Sequence, residues 1–183
     1  EFARCIFGLD RYDSGVVRVL GKQVAIRNVS DAVDAGIAYV PEDRKRDGFI
    51  PFMSIRENIA LPSYEERLSR HGIVQDEAEK ALSKEYVSAL GIKTPTDEKN
   101  VVELSGGNQQ KVILSKWLAK KPKLLILDEP TRGVDVGAKA EIHGIIGQIV
   151  REGVAVIMIS SEMPELLGSA DRILVLREGA VTG

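Results

Sequence analysis

An apolar strand that ends in two adjacent carboxylates constrains the fold of this chain more than any other feature. Residues 124–127 read Leu-Leu-Ile-Leu, and the lack of polar alternation is typical of a strand that is covered on both faces. Asp128 and Glu129 follow at once, and Pro130 cannot donate to a sheet ladder, so we expect the strand to end there. Such a strand requires a layered α/β fold, with the two acids at the edge of the sheet.

The segments around this strand alternate between strand and helix patterns. Ile37–Val40 reads as a short strand, Gly137–Arg151 as a helix with apolar residues at three- and four-residue steps, and Val154–Ile159 as a second fully apolar strand. Strand–helix–strand at this spacing predicts a right-handed crossover in a parallel sheet. Ile173–Leu176 is predicted to be a further strand, before a hairpin turn at Glu178–Gly179.

The first part of the chain predicts a small antiparallel addition to this sheet. Glu1–Phe7 reads as the end of a helix that Gly8 stops. Two short segments, Val16–Leu20 and Gln23–Ile26, flank a Gly-Lys pair and predict a tight hairpin.

Residues 50–102 differ in character, because they are polar and helix-rich. Ser54 is predicted to cap one helix, and Asp76–Leu90 carries apolar residues at the spacing of a second. We predict that 50–102 form a helical subdomain, inserted into an α/β core made of 1–49 and 103–183.

Composition narrows the class of protein. The chain has 183 residues, of which 44% are apolar and 28% charged, and its formal net charge is −2, so we expect no nucleic-acid partner. A single cysteine, Cys5, cannot form an internal disulfide. No apolar run approaches the length of about 18 residues that spans a bilayer, so we expect any membrane contact to run through a partner. His71 lies in a polar stretch and is predicted to be solvated.

The two acids at the strand end suit chemistry on a Mg²⁺–nucleotide complex. Ligands of open α/β sheets bind outside the carboxyl ends of the strands, where Asp128 and Glu129 lie. Neighbouring strand residues point in opposite directions, so the two acids need different partners unless the strand ends at once. Asp128 would face the metal and Glu129 an attacking water. An isolated pair of this kind is more often two solvated acids at a strand end.

A second candidate site lies at the start of the helix that runs from Ser105 to about Ala119. Ser105 has the hydroxyl of an N-cap, and Gly106 and Gly107 carry no side chain that would block an anion. Helix capping alone explains this pattern. Its position about 20 residues before the acid-tipped strand is more specific evidence for a phosphate site. The predicted helical subdomain extends into this helix.

These motifs resemble, in order and spacing, those of ATP-binding cassette domains over essentially the whole chain. The segments that carry the resemblance are the Q-loop Val40–Glu42, the signature motif Leu104–Gln109, the Walker B strand Leu124–Pro130, the D-loop Val134–Asp135 and the switch loop Ile159–Glu162. The resemblance implies a P-loop NTPase-like core with a mostly parallel sheet, and ATP and Mg²⁺ as cofactors.

The resemblance also implies a role for each matching residue. Asp128 corresponds to a Mg²⁺ ligand and Glu129 to the catalytic base, while Ser161 takes the switch-histidine position. The residues that correspond to nucleotide contacts are Glu42, Asp135 and, toward ATP held by a partner, Ser105, Gly106, Gly107 and Asn108.

Four longer segments resemble the second cassette of monosaccharide importers, which carry two fused cassettes in one chain. They are Glu42–Gly48, Leu104–Lys111, Asp128–Gly137 and Ser160–Glu165. The resemblance implies import of a ribose-, galactose- or xylose-like sugar, powered from the cytoplasmic face of the membrane. The expected partners are the other cassette, transmembrane permease subunits and, indirectly, a sugar-binding protein.

Several departures from the family pattern predict a weakened ATP site. The phosphate loop Gly-x-x-x-x-Gly-Lys-Ser/Thr is absent from these residues, so the chain is expected to bind ATP poorly and to be inactive in isolation. Glu42 replaces the usual Gln and adds negative charge beside a polyanion. Ser161 replaces the usual His and cannot serve as an imidazole donor.

Three functions remain open on this sequence. The chain is an ATPase cassette that supplies its signature motif to a partner's ATP site, or a degenerate half that only binds and regulates, or a soluble cassette ATPase outside transport. The long coiled-coil or basic linkers that are typical of the last class are absent from the sequence.

Overall fold

The computed structural model describes residues 1–70 and 73–182, so the solvation predicted for His71 lies outside the described residues. The helices are α1 (Phe2–Ile6), α2 (Val29–Asp34), α3 (Ile55–Ala60), α4 (Asp76–Ala89), α5 (Gly106–Leu118), α6 (Val136–Arg151) and α7 (Met163–Ser169). The strands are β1 (Val17–Val19), β2 (Lys22–Val24), β3 (Ile37–Val40), β4 (Ser69–Arg70), β5 (Ile73–Val74), β6 (Leu124–Asp128), β7 (Ala155–Ile159), β8 (Leu176–Arg177) and β9 (Ala180–Val181).

A parallel sheet of three strands forms the centre of the fold, as predicted. Its order is β3–β6–β7, and β6 pairs with a parallel neighbour on each side. Val40 lies opposite Leu127, and Asp128 lies opposite Ile159, so all three strands end at one edge. The side chains that end these strands therefore meet on one side of the molecule.

Both faces of β6 are covered, which explains its unbroken apolar sequence. Leu125 and Leu127 pack in one cluster with the apolar stripes of α3, α5 and α6, whereas Ile126 packs on the opposite face with α1 and α2. All three side chains are fully buried. The alternation between faces follows from the period of two along a strand.

The remaining sheets are two-stranded antiparallel hairpins, and two of them were predicted. β1 pairs with β2 in the predicted hairpin, over a shorter span than predicted. The turn predicted at the Gly-Lys pair is wrong by one residue, because Lys22 already pairs with Val19 and the turn is formed by Leu20 and Gly21. The hairpin turn at Glu178–Gly179 is also present. The strand predicted at Ile173–Leu176 is wrong in position, because β8 begins only at Leu176 and pairs with β9. Leu174 is 60% exposed and pairs with no strand of the described chain, so an apolar run alone did not produce a strand.

The helical segment 50–102 packs against α5, and α5 in turn packs against the sheet. Ser54 caps α3 in the expected capping box, since Ser54 Oγ accepts from the Glu57 amide at 3.1 Å and Glu57 Oε2 accepts from the Ser54 amide at 2.7 Å. α3 contacts both α4 and α5, and Ile55 and Ile59 belong to the same apolar cluster as the sheet. The boundaries at 50 and 102 stay a prediction.

Candidate functional site

The acid-tipped strand ends as predicted, and its first carboxylate is fixed by the neighbouring strand. β6 ends at Asp128, and Tyr39 on β3 donates its phenol hydrogen to Asp128 Oδ2 at 2.8 Å. Burial, together with the hydrogen bond to this carboxylate, raises the pKa of Tyr39 above its usual range. Tyr39 is therefore a neutral donor that sets the direction of the Asp128 carboxylate.

Glu129 leaves the strand through a left-handed backbone conformation. Its φ is +48°, which costs a non-glycine residue about 1–3 kcal/mol. Its amide still donates to Ile159 O at 2.8 Å, and its Oε1 accepts from the Ser161 amide at 2.7 Å. The predicted base and the predicted switch position are thus in direct contact, through the backbone of Ser161 rather than its hydroxyl.

Asp128 and Glu42 face one open cleft at this edge of the sheet. The cleft has a volume of about 610 Å³, and its lining also includes Arg132. The Glu42 carboxylate forms an ion pair with the Arg132 guanidinium, and both side chains are at least half exposed. This pairing offsets part of the negative charge that Glu42 brings to the site.

The donor set fits a magnesium ion that arrives with a nucleotide. Within residues 1–70 and 73–182, no three His, Cys, Asp or Glu side chains form a complete metal site. Mg²⁺ seldom uses such a cage, because it keeps several waters and binds one or two carboxylates together with substrate phosphates. Asp128, with its carboxylate on the cleft, matches that requirement.

The glycine-opened helix start borders this cleft without lining it, because a Cβ on Gly106 would lie 2.9 Å from Nη2 of Arg44, a residue of the lining. α5 begins at Gly106 with Ser105 in the N-cap position, but the prediction that the Ser105 hydroxyl caps the helix is wrong. Asn108 Nδ2 turns back and donates to Ser105 Oγ at 2.9 Å, while Asn108 Oδ1 accepts from the Lys93 amide at 2.9 Å. In the described part of the chain, no residue of Ser105–Asn108 lines the 610 Å³ cleft.

Gly107 and Asp135 each have a local role at the start of α6. A Cβ on Gly107 would lie 2.5 Å from Ala138 Cβ, so the missing side chain lets α5 approach α6 closely. Asp135 is the N-cap of α6, and its Oδ1 accepts from the Ala138 amide at 2.9 Å. Contact of these two residues with a nucleotide stays a prediction.

A buried carboxylate that sequence reasoning missed joins several segments of the site. Glu165 on α7 has a side chain only 4% exposed, and it accepts from Thr131 Oγ1 at 2.9 Å and from Ser160 Oγ. His143 Nε2 on α6 lies 3.1 Å from Glu165 Oε1. Glu165 thus ties the loop after β6 to the loop after β7. Nothing in its local sequence distinguishes it from the exposed Glu162, which pairs with Lys139.

An acid-tipped parallel sheet with a glycine-opened helix start at the border of its cleft is typical of nucleotide-binding α/β domains. The family model described as ABC transporter matches residues 2–132. The chain therefore belongs to the ABC transporter family.

Curated relatives of this chain are ATP-binding proteins of sugar import. The xylose import ATP-binding protein XylG of Thermoanaerobacter pseudethanolicus is 52% identical over 184 residues, which cover 100% of this chain and 36% of that protein. The ribose import ATP-binding protein RbsA of Bacillus subtilis is 47% identical over 183 residues, which cover 100% of this chain and 37% of that protein. The chain thus spans just over a third of the length of these relatives.

A solved structure supports the fold alone. A dimeric ATP-binding cassette in a post-hydrolysis state, bound to ADP and Pi, has a TM-score of 0.79 at 21% identity, over 98% of this chain and 76% of that one. Among the described residues, no helix combines the length and apolarity needed to cross a bilayer.

Proposed function

We propose that this chain is an ATPase cassette that energises import of a monosaccharide and completes the ATP site of a second cassette. The observation that carries the proposal is the arrangement at the end of β6. Asp128 lies on the cleft under the Tyr39 phenol, and Glu129 is held beside it by the Ser161 amide at 2.7 Å. A metal-facing carboxylate next to a second, separately oriented carboxylate suits phosphoryl transfer to water.

Each acid has a separate task in this proposal. Asp128 would hold a Mg²⁺ ion that arrives with ATP, and this ion would supply positive charge for the phosphates. Glu129 accepts a proton from the attacking water, with its carboxylate direction set through Oε1 by the Ser161 amide.

Two departures from the family pattern make the ATP site of this chain weaker than the ATP site of the partner cassette. The Ser161 side chain is short, and its hydroxyl cannot replace an imidazole near the γ-phosphate. Glu42 adds a carboxylate to the cleft, and its charge is engaged by Arg132. We therefore assign slow or absent turnover to this chain's own site, and the main turnover to the site on the partner cassette.

The partner's site would be completed by Ser105, Gly106, Gly107 and Asn108. These residues lie outside the cleft that holds Asp128, which supports contact with a nucleotide on another cassette. The helical segment 50–102 would move with them as a subdomain attached to the core of 1–49 and 103–183. The second cassette belongs to the same longer chain in this proposal, because the relatives are almost three times as long.

The names of the relatives support the remaining partners. One is a xylose import and the other a ribose import ATP-binding protein, so we propose permease subunits in the membrane and, beyond them, a sugar-binding protein. The cassette would act at the cytoplasmic face, where ATP is available.

Two substitutions in the full-length protein test the proposal. Ser105→Arg should abolish ATP hydrolysis, because a large side chain would block the phosphates at the signature motif. Glu129→Gln should lower the turnover far less than the matching change in the other cassette. Equal losses for the two Glu→Gln variants would refute the division of labour.

A regulatory half that binds without hydrolysis is the second candidate, and Ser161 together with Glu42 favours it. Measuring ATP hydrolysis at this chain's own site alone distinguishes slow catalysis from a purely regulatory role. With the other cassette inactivated by its own Glu→Gln change, residual hydrolysis that Glu129→Gln removes supports slow catalysis here. Residual hydrolysis at the background rate supports the regulatory role.

A further inference from the structure

Arg44 joins the turn after the Q-loop to the loop after β6. It begins a short helical turn, Arg44–Gly48, directly after Glu42 and Asp43. Its Nη1 donates to Arg132 O at 2.6 Å, and its Nη2 donates to Gly133 O at 2.9 Å. One planar guanidinium thus binds two consecutive carbonyl oxygens, a geometry that a lysine ammonium cannot reproduce.

The same guanidinium lies against the signature motif. A Cβ placed on Gly106 would lie 2.9 Å from Arg44 Nη2 and 3.1 Å from Gly133 O. Gly106 therefore rests on the guanidinium and on the carbonyl that it binds, with no room for a side chain between them. Three segments meet at Arg44: the turn after the Q-loop, the loop after β6 and the start of α5.

The far end of the turn is also attached to α5. Lys116 Nζ donates to Gly48 O, and a Cβ on Gly48 would lie 2.5 Å from Ile113 Cδ1. The turn is thus in contact with α5 at its first and its last residue. A displacement of the turn would be transmitted along α5, because close-packed interiors do not deform freely.

We propose that Arg44 is a positioning residue that holds the signature motif in place for the nucleotide of the partner cassette. The proposal rests on the function proposed above, in which Ser105–Asn108 act on that nucleotide. Arg44 keeps Gly106 at a fixed distance from the Gly133 carbonyl, and so sets the direction of the first turn of α5. Arg46 offers a contrast, since it is 71% exposed and pairs with its neighbour Asp47.

Steady-state ATPase assays on the full-length protein test the proposal. Arg44→Met and Arg44→Lys should both lower kcat about 10- to 100-fold and leave KM for ATP unchanged, because a misplaced group affects the transition state more than binding. Arg18→Met removes the same charge from the exposed strand β1, which does not line the cleft of Asp128, and should retain the wild-type kcat. Recovery of full turnover by Arg44→Lys would overturn the proposal, because charge alone would then suffice.

Hydrogen exchange without nucleotide provides a second readout that does not depend on turnover. The Gln109 amide donates to Ser105 O at 2.9 Å in the first turn of α5. Its exchange should become at least about 10-fold faster in Arg44→Met, because a loosened contact opens this turn more often, and should not change in Arg46→Met. Unchanged exchange in Arg44→Met would overturn the positioning role.

The two readouts separate failure of this proposal from failure of the proposed function. If Ser105→Arg abolishes hydrolysis while Arg44→Met retains full kcat, the signature motif acts as proposed and Arg44 does not position it. If the wild-type protein hydrolyses no ATP, the proposed function fails, and the exchange at Gln109 alone decides whether Arg44 holds the first turn of α5.

Discussion

Replacing Lys116 by Met should stabilise the fold at neutral pH. Lys116 is 7% exposed on α5, and its Nζ donates to Gly48 O and lies 5.3 Å from the centre of the Trp117 ring. Burial lowers the pKa of this lysine from its ordinary value of 10.5 to about 8. The folded protein therefore holds a charged amine in a place that favours the neutral form.

The sign and size of the effect follow from the two pKa values. Between pH 8 and 10.5 the unfolded chain binds the proton more tightly than the folded one, so stability rises with pH across this window. The difference of 2.5 between 10.5 and 8 corresponds to a penalty of about 3 kcal/mol, fully present below pH 8. Met avoids that penalty but leaves the Gly48 carbonyl without its donor, at a cost of about 1 kcal/mol. Lys116→Met should thus be more stable by about 2 kcal/mol at pH 7 and less stable by about 1 kcal/mol above pH 10.5.

Urea unfolding at several pH values measures this change. Fluorescence of Trp117, the single tryptophan of the sequence, reports the transition beside the substituted residue. An exposed lysine on α4, Lys84, provides the control, and Lys84→Met should alter stability by at most about 0.5 kcal/mol. A difference between wild type and Lys116→Met that stays constant from pH 7 to pH 10, or a loss of stability at pH 7, would refute the reasoning.

Two further predictions use the same unfolding assay. Glu165→Leu should lower the free energy of unfolding by about 3 kcal/mol, because it leaves the buried Thr131 hydroxyl and the half-buried Ser160 hydroxyl without their acceptor. Glu162→Leu, at a side chain 51% exposed, should lower it by at most about 1 kcal/mol. Comparable losses would contradict the role given to burial. Gly107→Ala should lower the free energy of unfolding by about 1–3 kcal/mol, because the added methyl group overpacks the contact with Ala138. Gly144→Ala on α6, where a Cβ meets nothing within 4 Å, should raise it by up to about 1 kcal/mol. Unchanged or increased stability in Gly107→Ala would show that the contact of α5 with α6 tolerates a methyl group.

Local chemistry explains why much of the site could be predicted. The strand before Asp128 was predictable because four apolar residues followed by Pro130 leave few alternatives, and the capping box at Ser54 because its two partners are three residues apart. The errors arose where a local pattern had a competing partner. Ser105 has the side chain of a cap, but Asn108 occupies its hydroxyl, and Leu174 has the apolarity of a strand residue without a neighbouring strand in the described chain.

The sequence by itself determined the order of strands and helices, the acidic end of β6 and the glycine-opened start of α5, because these depend on periodicity and on backbone chemistry within a few residues. Only the tertiary structure decided which distant groups meet. Arg44 reaches carbonyl oxygens 88 and 89 residues away, and Glu165 accepts from Thr131 across 34 residues. The position of the Glu129 carboxylate is a further long-range contact, since the carboxylate accepts from the Ser161 amide, 32 residues further on. Such contacts leave no local pattern, because they depend on the packing of the sheet and helices that brings the segments together.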